Sequence, residues 1–379
     1  MRIFENLNID FLGKRKFFYI LSSTLFLIGV VNFIIRGFQF GIDFKGGSEF
    51  VLQFQDPMSV GQLRPSIEKI GLGNVELKSY GSANSIIVRT ELQAVPANLY
   101  PGIIKNINAQ IEKFYPGLPY QIVDSAAKSV TYQFPNADTT NAITDKLFRA
   151  GYQTSKTTAD LNNTKMNISI GISDLIKENL KEKVASNPFK ILSEIQVGPK
   201  VGSELKRNAV LAIFLSLVMI LIYLGFRFKF IFAAGAVVAL FHDVLITLGL
   251  YATLYNVIPG LNLEMDLTTV AAFLTLIGYS NNDTVIVFDR VREMMKIHKS
   301  MPLGEVINLA INKTLSRTMI TSGTTLLTTF VLLLFGGEVI RAFAFTMFFG
   351  VIIGTYSSIF VASAIVYEYS IKAKKKVQF

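Results

Sequence analysis

The 379 residues include no cysteine, which excludes disulfides, thiolate metal sites and a cysteine nucleophile. Hydrophobic residues make up 51% of the chain and mean hydropathy is +0.43. They gather in blocks about twenty residues long instead of recurring at a soluble helix or strand period, so an ordinary soluble domain is excluded too. The formal net charge of +10 is explained by where the basic residues fall between those blocks.

Taken in order, the blocks predict six membrane spans: Phe17–Ile35, Ala209–Phe226, Phe230–Tyr255, Leu267–Phe288, Thr318–Phe335 and Ala342–Tyr367. At a rise of about 1.5 Å per residue, each is long enough to cross. The first is expected to stay as an anchor: its apolar run is too long for a cleavable signal, Arg36 follows it directly, and no small-x-small cleavage pattern ends it. Arg2, Lys14, Arg15 and Lys16 precede span one, Arg227 and Lys229 follow span two, and Arg290, Arg292, Lys296 and Lys299 follow span four. Lys372, Lys374, Lys375 and Lys376 form the tail, whereas the loop 256–266 holds no lysine or arginine. All four basic segments and both termini therefore belong on the cytoplasmic side. Topology then accounts for the charge, and no nucleic-acid partner is implied.

Between spans one and two, Gly37 to Asn208 has a soluble composition and is placed outside the cytoplasm, with room for one or two domains. Ser48–Phe54 reads as a strand and Val60–Ile70 as a helix burying Leu63, Ile67 and Ile70. Asn74–Ser79 and Ser85–Thr90 read as a hairpin around Gly81. The pattern returns about eighty residues later: Lys128–Phe134 matches the first strand, the helix Ala142–Ala150 stops at Gly151 as the first stops at Gly71, and Met166–Ile170 matches Ile86–Thr90. Each half continues into a helix, Leu99–Phe114 or Asp174–Ala185, and a last strand, Tyr120–Val123 or Ile191–Val197. Two β-α-β-β-α-β units, each a ferredoxin-like sandwich, are one reading, and coincidental α+β periodicity is the other.

Two glycine-rich junctions bracket this region, Gly41-Ile42-Asp43-Phe44-Lys45-Gly46-Gly47 and Val197-Gly198-Pro199-Lys200-Val201-Gly202. Neither has phosphate-loop spacing. A hinge and a rigid tight turn are both open for Gly41, Gly46, Gly47, Gly198, Pro199 and Gly202. Asp43, at the membrane edge, suits a structural or hinge role.

The most informative run is Gly278-Tyr279-Ser280-Asn281-Asn282-Asp283-Thr284, which puts two amides and a carboxyl inside span four. A carboxyl there costs several kcal/mol to bury and persists where a partner, a cavity or a proton neutralises it, so function is the first reading and an interhelical clamp the second. Burial raises a carboxyl's pKa and a nearby cation lowers it, which is how such a group becomes poised to load and release a proton. Arg317, at the start of span five, is either that cation or an ordinary cytoplasmic-end anchor. His242 and Asp243 fall about 21 Å into span three at about 1.5 Å per residue. They either extend a proton relay with Asn282 and Asp283 or form a structural cluster. Asp289, Arg290 and Arg292 read as interfacial anchors. Gly350, Gly354, Ser358 and Ala362 make a close-packing stripe on span six, facing either the same chain or a partner. Pro302–Leu315 reads as an amphipathic helix on the cytoplasmic surface.

The two glycine junctions, His242-Asp243, the run Ile277 to Glu293 and the run Ser316 to Leu326 together resemble the SecF family of bacterial protein-export membrane proteins. The resemblance covers span one, the junctions and Val197 to Ala364. The extracytoplasmic region looks longer than the single ferredoxin-like unit usual in that family, which the second unit would explain. What the resemblance implies is an auxiliary subunit of the Sec translocase in the cell inner membrane, paired with a SecD-like subunit beside the SecYEG channel. It would use protons to promote late translocation of unfolded proteins, as part of the resistance-nodulation-division superfamily, with Asp283 and Arg317 paired along the proton path.

The expected architecture is a polytopic α-helical membrane protein. Residues 1–36 hold the N-terminus and helix one, 37–208 the extracytoplasmic α+β domain (units about 48–125 and 128–197), 209–370 helices two to six with a cytoplasmic loop 290–317, and 371–379 a basic tail. No metal spacing, nucleophile elbow or phosphate loop supports an enzyme, and no cofactor is called for. A proton-driven exporter of small molecules or lipids and a passive scaffold for the export channel are the alternatives.

Overall fold

A computed structural model describes residues 8–372 apart from 127, 151, 158–161, 256, 259–260 and 262. Arg2, Gly151 and the tail lysines Lys374, Lys375 and Lys376 thus lie outside the described residues. The chain divides into a helical unit, Met1–Lys45 with Gly202–Phe379, and an α+β unit, Gly46–Val201. Both chain crossings between the units fall within the glycine-rich junctions.

The helical unit opens with α1 (Arg15–Arg36) and the single turn α2 (Ile42–Lys45). The α+β unit then runs β1 (Gly47–Phe54), α3 (Val60–Glu68), β2 (Val75–Tyr80), β3 (Ser82–Thr90), α4 (Tyr100–Phe114) and β4 (Gln121–Ala126). It repeats as β5 (Ser129–Gln133), α5 (Ala137–Arg149), β6 (Gln153–Lys156), β7 (Lys165–Ser169), α6 (Ile172–Lys183) and β8 (Phe189–Val197). Local chemistry sets the helix starts: Ser59 and Gln62 close a capping box on α3, and Asn136 caps α5 through the Thr139 amide. Ile103, Ile107 and Ile111 bury one face of α4.

The sheets depart from the expectation of self-contained units. Their strand orders are β2-β3-β1-β8 and β4-β5-β7-β6, antiparallel throughout. The last strand of each half therefore lies in the other half's sheet: β8 runs beside β1 from Gly47↔Val197 to Phe54↔Phe189, and β4 beside β5 from Gln121↔Gln133 to Ala126↔Ser129. The strand expected to close residues 48–125 thus closes the second sheet. One core serves both halves, with Phe50, Leu52, Ile67 and Ile107 in the same cluster as Tyr132, Ile143, Ile168 and Ile176. Polar bonds cross the same seam: the Tyr132 hydroxyl donates to Asn108 at 2.9 Å, and Asn106 donates to Glu178 at 3.0 Å. Burial pushes up the pKa of the Tyr132 hydroxyl, as expected of a phenol closed inside this core.

The helical unit resumes with α7 (Pro199–Arg227), α8 (Phe230–Leu254), α9 (Leu267–Ile297), α10 (Leu303–Phe335), α11 (Gly337–Ser357), a π-helical turn at Ser358–Ala362 and α12 (Ser363–Lys372). Five segments among the described residues are long and apolar enough to cross a membrane: Leu12–Arg36, Pro199–Arg227, Phe230–Leu254, Leu303–Phe335 and Gly337–Lys372. The expected fourth span is α9, 31 residues long. Its polar run from Gly278 to Thr284 interrupts the apolar stretch.

The expected cytoplasmic loop 290–317 is largely helical, because α9 continues to Ile297 and α10 begins at Leu303. The amphipathic segment within it is not a surface helix. Val306, Ile307, Ala310 and Ile311 pack into a core with Phe288, Val291 and Met294. On the same stretch, Asn308 accepts from the Phe11 and Leu12 amides and Asn312 from the Ile9 amide, which ties the chain ahead of α1 to α10. Phe214, Met219, Tyr223 and Phe226 on α7 are exposed, as suits a lipid-facing helix.

Candidate functional site

Two buried carboxyls organise the interior of the helical unit. Asp243, 1% exposed, accepts from Ser280 on α9 at 2.6 Å, from Ser357 on α11 at 2.9 Å and from His242 Nδ1 at 2.9 Å. The other ring nitrogen of His242 lies 2.9 Å from the Ser22 hydroxyl on α1 and 3.2 Å from that of Tyr356. A neutral ring that donates Nδ1–H to Asp243 accepts at Nε2, and a protonated ring donates at both. Four helices meet here, each supplying a hydroxyl or the acid–imidazole pair.

Asp283, also 1% exposed, is satisfied differently. Among the described residues its carboxyl accepts from one group, the Ser322 hydroxyl of α10, at 3.1 Å. Thr355 of α11 donates to Ser322 at 2.8 Å. Of the two carboxyls, Asp283 is the one whose protonation disturbs fewer hydrogen bonds. No side-chain hydrogen bond among the described residues joins the two clusters, although α9 and α11 contribute to both.

Glycine and serine let the helices come this close. A Cβ on Gly354 would stand 2.8 Å from Ser280 Oγ and 3.5 Å from Asp243 Oδ2, and one on Gly350 would meet the Leu276 side chain at 2.5 Å. The stripe Gly350, Gly354, Ser358 and Ala362 is buried, and its glycines pack on α9 of the same chain.

The remaining expected residues are placed as follows. The Arg317 side chain is exposed, lies within electrostatic range of Asp283 and forms no ion pair with it. Asn282 is exposed beside the buried Asp283, whereas its neighbour Asn281 buries an amide oxygen that has no partner among the described residues. Asp289 pairs with Arg227 at 3.0 Å. Asp43 caps α9, its carboxylate accepting from the Leu267 amide at 3.0 Å, while Asp266 accepts from Thr269 at 2.7 Å. Burial pushes the Asp266 carboxyl above its ordinary pKa, with its bonds to Thr269 opposing that shift. Gly41 donates to the Met265 carbonyl at 2.8 Å. Gly46 and Gly47 have φ of 74° and 113°, and a Cβ on Gly47 would stand 2.3 Å from the Thr90 carbonyl oxygen, so no other residue fits there. Gly198 precedes α7, Pro199 is its first residue and Gly202 is buried within it.

Ser22, Ser280, Ser322, Thr355, Tyr356 and Ser357 belong to the site without having been singled out from sequence. Hydroxyls are common in membrane helices; Ser280 and Ser322 lay inside runs already quoted for other residues, and the unbroken run Thr355-Tyr356-Ser357-Ser358 inside an apolar span carried a signal that went unread.

The family model described as "Protein export membrane protein SecD/SecF, C-terminal" matches residues 176–372, which hold every residue of both clusters except Ser22. The model "SecD/SecF GG Motif" matches residues 31–58, around Gly46 and Gly47. The chain belongs to the SecD/SecF family. It is 39% identical over 373 residues to the protein translocase subunit SecF of Rhodothermus marinus, covering 98% of this chain and 97% of that protein. To the SecF subunit of Calditerrivibrio nitroreducens it is 35% identical over 362 residues, 95% of this chain and 93% of that one. The longer α+β unit is therefore no departure from SecF, since the Rhodothermus relative aligns across it. A solved structure of SecDF, a translocon-associated membrane protein from Thermus thermophilus, matches 97% of this chain with a TM-score of 0.64 and 27% identity. SecDF in a super-membrane-facing form matches 98% with a TM-score of 0.57 and 27% identity. This chain spans 39% and 40% of the length of those two SecDF chains. SecD/SecF membership makes it a multi-pass membrane protein of the protein translocase.

Proposed function

We propose that this SecF-type subunit couples the proton gradient of the bacterial inner membrane to late translocation of unfolded proteins, with Asp283 as the proton carrier. The reading has six spans, both termini in the cytoplasm, a SecD-like subunit as partner and the SecYEG channel as the site of action. The observation that carries it is Asp283 itself: a carboxyl 1% exposed within a membrane helix, held by a single hydroxyl. Burying a charge so thinly compensated is costly, and such groups mark proton pathways. Arg317 supports the same reading from a distance, as a cation that screens the ionised state without locking it in an ion pair. His242 and Asp243 act as a second protonatable pair, whose partner Ser280 stands one turn of α9 before Asp283.

The α+β unit is, on this reading, a pair of ferredoxin-like sandwiches with exchanged fourth strands outside the cytoplasm, and its motion delivers the work. The glycine junctions serve as the hinges. Proton flux tests the carrier role. In vesicles holding this chain, its SecD-like partner and the channel, a pH-sensitive dye should report proton entry during export for the wild type and none above leak for Asp283→Asn. Equal entry in both would overturn the carrier role.

A further inference from the structure

Thr355 Oγ1 stands 2.8 Å from Ser322 Oγ and 2.7 Å from the Val351 carbonyl oxygen, and it carries one proton to serve both. Ser322 in turn lies 3.1 Å from Asp283. Among the described residues it makes no bond back to its own helix, unlike Thr321, Thr324 and Thr329 around it, which do. The resulting line of atoms, Asp283 carboxyl, Ser322 hydroxyl, Thr355 hydroxyl and Val351 carbonyl, crosses from α9 through α10 to α11.

The line can be filled in two directions without moving a heavy atom. With Asp283 ionised, Thr355 donates to Ser322 and Ser322 donates to the carboxylate. The Val351 carbonyl loses nothing essential, because a helix carbonyl keeps its backbone bond on one lone pair. With Asp283 protonated, its O–H donates to Ser322, Ser322 donates to Thr355, and Thr355 turns its proton to Val351. Ser322 donates once and accepts once in both states, and Thr355 donates once in both and accepts only when Asp283 is protonated. No hydroxyl proton is therefore left unpaired in either state, with two hydrogen bonds along the line when Asp283 is ionised and three when it is protonated. A chain ending in an apolar group would leave a buried donor unpaired when Asp283 is protonated, which is unfavourable.

From this geometry we infer that Thr355 is a positioning residue for proton coupling: it supplies the reversible end of a hydroxyl wire through which α11 senses the protonation state of Asp283. The inference deepens the proposed role of Asp283 and rests on it. The π-helical turn that begins at Ser358 lies one turn beyond Thr355, where α11 can absorb a change in that bond.

Infrared titration of the full chain in lipid tests it. The C=O stretch of protonated Asp283 is assigned as the band lost in Asp283→Asn. Thr355→Val, which keeps the shape and removes the hydroxyl, should move that band, and Thr355→Ser, which keeps the hydroxyl, should return it to the wild-type position. If Thr355→Val leaves the band in place, or Thr355→Ser moves it as far as valine does, the wire is refuted while Asp283 remains a titrating group. If no band disappears in Asp283→Asn, both the carrier role and the wire fail.

Discussion

Asp243 and Asp283 show how neighbouring residues give the same carboxyl two characters. Asp243 is fixed by three donors from three helices, whereas Asp283 hangs on one. The closeness that makes the first cluster depends on Gly354. An alanine there would press its Cβ to 2.8 Å from Ser280 Oγ, and neither short side chain can give way without breaking the bond to Asp243. We expect Gly354→Ala to lower thermal stability in detergent by the equivalent of about 1–3 kcal/mol. Gly278 on the exposed face of α9 is the control, since a Cβ there meets nothing within 4 Å. Gly278→Ala should be neutral or gain about 0.4–1 kcal/mol from reduced unfolded-chain entropy. Equal stability of the two variants would mean that the α9–α11 contact is looser than these distances.

At the scale of elements, residue pattern located nearly every helix and strand of the α+β unit but not the pairing of its last strands. Alternation in Ser48–Phe54 and Ser129–Gln133 says which face is buried; it cannot say which neighbour fills the edge, because β4 and β8 offer similar mixed strands to either sheet. β6 escaped notice because Gln153–Lys156 is short, polar and largely exposed. The exchange has a direct consequence for dissection. A fragment from Val130 to Val197 lacks the β4 that edges its own sheet and keeps a β8 with no β1 to pair with, so it should fail to melt cooperatively by circular dichroism. The stretch Gly46–Val201 should melt as one transition, because a single core spans both halves. A cooperative melt of the shorter fragment would contradict the exchanged pairing. In the helical unit, hydropathy placed five predicted spans on segments long and apolar enough to cross, yet it misread Pro302–Leu315, whose apolar stripe suits a lipid surface and a protein core equally.

For the whole molecule, the buried Asp283 of α9 and the pair His242-Asp243 were legible because charge in an apolar block is conspicuous. The hydroxyls that connect them to α1, α10 and α11 were not, since their role exists only once helices distant in sequence are packed together. Asn282, beside Asp283 in sequence, is exposed while Asp283 is buried, because adjacent residues on a helix point about 100° apart. What unites the fold with the proposed work is the energy available: one charge moved through 100 mV is worth about 2.3 kcal/mol. That is sufficient to shift a two-state equilibrium by tens of fold. Export rate in vesicles containing this chain, its SecD-like partner and the channel, with and without an imposed proton gradient, tests most directly whether Asp283 draws on it. Asp283→Asn should leave assembly and gradient-independent export at wild-type levels and abolish the stimulation by the gradient; full stimulation in that variant would make Asp283 a packing residue and this subunit a scaffold.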